Sequence, residues 1–265
     1  MLTPTFCIEM LLLGAMTGII SASLGLGGGI IMVPGFLQLV GEMDANTAKG
    51  TSLFIIIFVS GLNAWQEKRR DPHENWRLAS ILALGAIGGA YAAGWATGLM
   101  PNRVVAGIFV VFLAITSYRT FRVKSKPVTE TRTQNMTSLA IGIGLLTGIV
   151  SGATGTGGGA ILVPLALMAG LVVNERAVAL SNTVMVATAI AAAAAHFMAQ
   201  KTTTLPYTTG QVFWGLAPLV CAGAVIGSPV GLRLNRWLTL PRRRIAMGVM
   251  LLLVAARMLY ETLAG

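Results

Sequence analysis

The chain has 265 residues, 55% of them hydrophobic and 11% charged, where an ordinary soluble domain carries about 25% charge; its mean hydropathy is +0.76. That balance excludes a soluble enzyme and implies one membrane domain over 1–265. The formal net charge of +10 does not mark a nucleic-acid binder, because the basic residues gather in three short polar gaps. These hold Lys68, Arg69, Arg70 and Arg77, then Arg119, Arg122, Lys124, Lys126 and Arg132, then Arg233, Arg236, Arg242, Arg243 and Arg244. Lys and Arg flanking apolar spans mark the cytoplasmic side.

Taken in chain order, apolar length predicts a broken helical segment at 6–41 and spans at 47–65, 78–99 and 103–121. A polar cytoplasmic linker at 122–135 follows, and then the same series at 136–170, 177–199, 210–232 and 244–262. The uncharged stretches from Met10 to Gly41, Met136 to Asn174 and Thr202 to Leu232 each exceed the roughly 20 residues that cross a bilayer. Cys7 and Cys221 form no disulfide or metal framework. The N-terminus lacks a positive n-region and its apolar run continues too far for a cleavable signal peptide. Trp65, Trp76, Trp95, Trp214 and Trp237 fall near span boundaries, as interfacial anchors do.

The two longest apolar stretches repeat one another. The run from Thr17 to Pro34, TGIISASLGLGGGIIMVP, aligns without a gap on the run from Thr147 to Pro164, TGIVSGATGTGGGAILVP, at an offset of 130 residues. Each copy packs four glycines into five residues, Gly25 to Gly29 and Gly155 to Gly159. Each glycine costs about 1 kcal/mol in a helix interior, so neither run is expected to continue as helix. Pro34 and Pro164 fit the first part of the helix that resumes after each break.

Counting crossings by parity then sets the topology. The gaps at 122–135 and 233–244 are both basic, so an even number of spans separates them. This requires each broken segment to enter and return. The expected fold is an all-α integral membrane protein of two inverted repeats, 6–121 and 136–262, each a glycine-broken helical hairpin plus three transmembrane helices. Both termini then lie outside the cytoplasmic (inner) membrane.

The doubled Gly-x-Gly-Gly-Gly with Ile-x-Val-Pro, the Ala48-Lys49-Gly50-Thr51-Ser52 segment after the first copy, and Gly85-Ala86 with Gly89 together resemble the sulfite exporter TauE/SafE family of membrane transporters. The likeness covers nearly the whole chain. It implies outward transport of a small sulfur-containing anion such as sulfite, an organosulfonate or sulfoacetate, with no cofactor.

The residues themselves also suit an anion. A glycine run entering a helix offers successive backbone amides at the positive end of a helix dipole, a binding concavity that needs no charged side chain. The expected substrate site lies between Gly27, Gly28 and Gly29 and Gly157, Gly158 and Gly159. Ser21, Ser23, Thr51, Ser52, Thr154, Thr156, Ser181, Asn182 and Thr183 are available as neutral donors. A Ser or Thr in a membrane helix as often bonds its own preceding turn.

Other glycines, Gly14/Gly18, Gly85/Gly89, Gly144/Gly148 and Gly223/Gly227/Gly231, read as close-packing seams. Such seams can pack between protomers as well as within one, so a homodimer is compatible. The Gly155 to Ala160 segment fits a dinucleotide fingerprint, but no strand–turn–helix unit surrounds it. Glu9, Lys49, Glu175, Arg176 and Arg257 lie at span ends, where a charge snorkels to the interface. His196 is the titratable group well inside a span, either a proton relay or a helix-end histidine bonded to a carbonyl or to lipid. No cluster of His, Asp, Glu or Cys lies in the apolar segments, which argues against an enzyme or a metal site. The alternatives are an importer, a carrier of another small anion, and a signalling or assembly subunit without flux.

Overall fold

Helix starts and stops follow local chemistry. Thr3 caps α1 (Pro4–Leu24), its hydroxyl accepting from the Phe6 amide at 3.2 Å with Pro4 in the first turn. After the glycine break comes α2 (Gly29–Leu39). Asp44 caps α3 (Ala45–Arg70), its Oδ1 accepting from the amides of Asn46 at 2.9 Å and Thr47 at 3.1 Å. The chain continues through α4 (Trp76–Gly98), α5 (Asn102–Phe121), α6 (Thr133–Thr154), α7 (Gly159–Met168), α8 (Asn174–Met198), α9 (Ala217–Trp237) and α10 (Leu240–Ala264). This computed structural model describes residues 3–70, 76–121 and 133–264, so linker residues 122–132 lie outside the described residues.

Six of the described helical segments are long and apolar enough to cross a membrane: Pro4–Leu24, Ala45–Arg70, Trp76–Thr97, Met136–Thr154, Asn174–Met198 and Trp214–Trp237. The protein is an all-α, multi-pass membrane protein. Its outward surface is apolar, with Leu84, Ile226 and Leu253 exposed, as a lipid-facing surface requires. All five tryptophans are exposed, and Arg69 stacks on Trp65 at 3.8 Å while Lys68 lies 4.6 Å over Trp76.

Two expectations are corrected. The span expected at 210–232 begins later, because residues 208–213 form a short antiparallel hairpin, β1 (Thr208–Thr209) with β2 (Val212–Phe213), before a single 3₁₀ turn at Trp214–Leu216. Gly210 at φ 58° turns the hairpin, and the Phe213 amide donates to the Thr51 hydroxyl at 2.9 Å, docking it on α3. The prolines also sit deeper than expected, inside α2 and α7 rather than at their starts. There Pro34 and Pro164 have no amide to offer the carbonyls of Ile30 and Ala160, one turn back.

The sequence halves interlock. α1 packs along α9 of the second half, and α6 packs along α4 of the first. Both pairs are parallel: Gly14 lies against Val220 and Gly18 against Ala224, while Gly144 lies against Leu82 and Gly148 against Ala86. At each of these glycines an added methyl group would strike a backbone carbonyl of the partner helix, so the seams are close-packing seams. They are filled within one chain. Between these pairs α3 and α8 lie against each other in opposite directions, Gly50 beside His196 at one end and Asn63 and Asn182 sharing Ser21 at the other. α5 packs on α10, with the Ser117 hydroxyl donating to the Gly248 carbonyl at 2.8 Å.

Candidate functional site at the crossed glycine breaks

The two breaks share one backbone. Gly25, Gly27 and Gly28 have φ of 70°, 81° and 74°, and Gly155, Gly157 and Gly158 have 73°, 83° and 85°. These left-handed values are those that glycine alone adopts freely. The amides of Gly25 and Gly155 close α1 and α6 by bonding back to the carbonyls of Ser21 and Ser151. Gly28 and Gly158 then stand as N-caps of α2 and α7 without any side-chain capping bond. The positive end of each short helix is therefore presented by backbone alone.

The breaks cross antiparallel and touch. Gly29 meets the carbonyl of Gly155, Gly159 meets that of Gly25, and a methyl group on Gly27 would fall 2.6 Å from the Thr156 carbonyl oxygen. Reciprocal hydrogen bonds fasten the crossing. The Ser52 hydroxyl donates to the Gly155 carbonyl at 2.9 Å, and the Ser181 hydroxyl donates to the Gly25 carbonyl at 2.8 Å. Ile56 and Met185 close the middle, both packed on Gly157. The six glycines expected to form the site are thus brought together, with Ser52, Ser181 and Thr156 beside them. In this conformation they leave no gap between the runs.

The other expected donors divide by partner. Thr51 and Thr154 donate to carbonyls of their own preceding turns, Thr47 at 2.6 Å and Val150 at 2.7 Å, and Thr154 also meets Thr156 at 2.9 Å. Ser21 and Asn182 are paired with each other at 3.2 Å, on the Gly25 side of the crossing. Ser23 is buried, and its carbonyl accepts from Arg243.

Around Ser21 lies a polar cluster that the sequence did not single out. Asn63 donates to the Ser21 hydroxyl at 3.0 Å, and Asn182 and Asn235 approach the two carboxylate oxygens of Glu67, each at 3.4 Å. Arg243 donates to Asn235 Oδ1 at 2.7 Å. Arg243 counted as one more flanking cation in the sequence, yet it is 1% exposed, because α10 starts beside α9 and directs it inward. Only the presence of Asn63 and Glu67 near the end of an apolar helix could have signalled this cluster.

Opposite it, beside Gly155, a second cluster corrects another expectation. Lys49 does not snorkel: it is 1% exposed, because the turn that Asp44 caps and the docked hairpin enclose it. Its stem lies along Gly155, whose added methyl would fall 2.8 Å from Lys49 Cα. His196 is fully buried, with Nδ1 2.8 Å from Gln211 Oε1 in the hairpin and the ring facing the backbone of Gly152. Glu175 and Arg176 are exposed, as expected.

Comparison with known proteins identifies the family. The sulfite exporter TauE/SafE family model matches residues 10–258. A probable membrane transporter protein, YunE, of Bacillus subtilis is 24% identical over 95% of this chain and 97% of its own. One from Haemophilus influenzae is 31% identical over 64% of this chain and 66% of its own, and one from Methanocaldococcus jannaschii is 24% identical over 91% of each. No solved structure matches the chain significantly. With the doubled glycine motif, the membrane-spanning helices and a match over almost its full length, this chain belongs to the sulfite exporter TauE/SafE family and is a membrane transporter.

Proposed function

We propose that the protein exports a small sulfur-containing anion, of the sulfite, organosulfonate or sulfoacetate type, by alternating access across the cytoplasmic membrane. The observation that carries this reading is the crossing of two glycine breaks that end in helix N-termini without side-chain caps. Parted, the amides around Gly27 to Gly29 and Gly157 to Gly159 replace the hydration of an oxyanion, with the hydroxyls of Ser52, Ser181 and Thr156 as neighbours. Touching, they shut the path.

The two halves are read as inverted repeats, on the opposed directions of α3 and α8 and the reciprocal bonds of Ser52 and Ser181. The bodies that rock are then α1 with α9 against α4 with α6, since these pairs are the tightly seamed ones. Export needs no second ion, because an inside-negative potential drives an anion outward by about 2.3 kcal/mol per charge per 100 mV.

The test is efflux from proteoliposomes loaded with sulfite, a C2 sulfonate or sulfate, with potential and pH gradient set separately. Saturable efflux of a sulfur oxyanion, steepened by an inside-negative potential, is the expected result. Dependence on the pH gradient alone would replace the uniport mechanism with a proton-coupled one in which His196 carries the proton. No flux of any of the three would remove the substrate class.

A further inference from the structure

We propose that Lys49 forms a cationic subsite beside the second glycine break, the charged contact that a small sulfur oxyanion makes on one side of the crossing; the subsite rests on the transport reading above for its ligand class. Lys49 is enclosed, and its Nζ has no hydrogen-bond partner among the described residues. An ammonium held out of water without a partner is costly, and such a group pairs with a counter-ion when one reaches it.

The nearest carboxylate does not fill that role. Asp44 Oδ1 accepts from the amides of Asn46 and Thr47, and its Oδ2 accepts from the hydroxyls of Thr47 at 2.7 Å and Thr202 at 2.9 Å. Asp44 acts on Lys49 through space only. Its charge moderates the attraction of the site for an anion, which favours release over trapping. His196 flanks the same place. Its Nδ1 is tied to Gln211, and the ring also faces the backbone of Gly152 in the last turn of α6.

The subsite is one-sided. The contact that Lys49 Cα makes with Gly155 is made by Val178 Cα with Gly25 in the other half, so the charge in one repeat is answered by an apolar residue in the next. The buried cation on the Gly25 side, Arg243, is already engaged by Asn235 Oδ1, the Ser23 carbonyl and the charge of Glu67. Of the two, Lys49 is the one whose charge lacks a bonded partner.

Thermal unfolding of the full-length protein in detergent, titrated with sulfite and with methanesulfonate at constant ionic strength, tests this. The wild type is expected to be stabilised saturably. Lys49→Met is expected to unfold at the same or a higher temperature without anion, because an unpaired buried charge is removed, and to bind at least about tenfold more weakly. Lys49→Arg keeps the response. Should Lys49→Met not fold, Lys49→Gln is read in the same way. A response in Lys49→Met equal to that of the wild type, or a wild type that neither anion stabilises, overturns the subsite. Efflux separates the two claims. A wild type that binds sulfite through Lys49 but does not release it from proteoliposomes keeps the subsite and loses the export reading. A Lys49→Met protein that transports with unchanged KM does the reverse.

Discussion

At the scale of the residue, Gly28 and Gly158 combine a left-handed backbone with no room for a side chain. At Gly158 a methyl group would fall 2.6 Å from the Thr147 Cγ2 atom, at a φ of 85°. The left-handed backbone alone costs an alanine about 1–2 kcal/mol. Gly158→Ala is therefore expected to lower the unfolding temperature by several degrees and sulfite efflux by at least about tenfold, with membrane insertion unchanged. Unaltered efflux from that variant would separate the break from transport. Ser52 and Ser181 carry a matched expectation. Each alanine substitution removes the donor to a buried carbonyl and costs about 1–3 kcal/mol. Similar losses in thermal unfolding for the two variants would show that both hydroxyls fasten the crossing; a silent Ser52→Ala would show that its bond to Gly155 is dispensable.

At the scale of the element, glycines that look alike in sequence differ in what surrounds them. Gly148 of α6 rests on the Ala86 carbonyl of α4, whereas Gly142, less than two turns earlier, has nothing within 4 Å. Gly148→Ala is expected to reduce the yield of folded protein sharply, and Gly142→Ala to leave it unchanged or slightly raised; size-exclusion profiles after detergent extraction distinguish them. Most element boundaries could be read from apolar length and the glycine runs, because span length is a strong constraint in a bilayer. The start of α9 was not legible. Its hairpin owes its position to the bond from Phe213 to Thr51, a contact between residues far apart in the chain. The depth of Pro34 and Pro164 was missed for a related reason: each helix restarts at its last glycine, several residues before the proline.

At the scale of the whole molecule, the repeat made the glycine crossing legible, while the burial of Lys49, His196 and Arg243 was not, since each depends on an element from elsewhere in the chain. Neither was the interlocking of halves, because a seam of small residues does not name its partner. The proposed inverted topology places the 200–209 loop outside and the end of α3 inside. A membrane-impermeant thiol reagent is expected to label Thr204→Cys in intact cells but Arg69→Cys only after permeabilisation; the opposite pattern would reverse the orientation. The central claim, that the anion passes where the glycine breaks part, is tested most directly by fastening them. In a background with Cys7 and Cys221 replaced, Ser52→Cys and Thr156→Cys flank Gly29, whose added methyl would fall 2.9 Å from Ser52 Oγ and 2.7 Å from Thr156 Cα. With these cysteines joined by a short reducible thiol linker, sulfite is expected to stay inside proteoliposomes and to leave once the linker is reduced. Efflux from the linked protein at the rate of the reduced one would contradict the account.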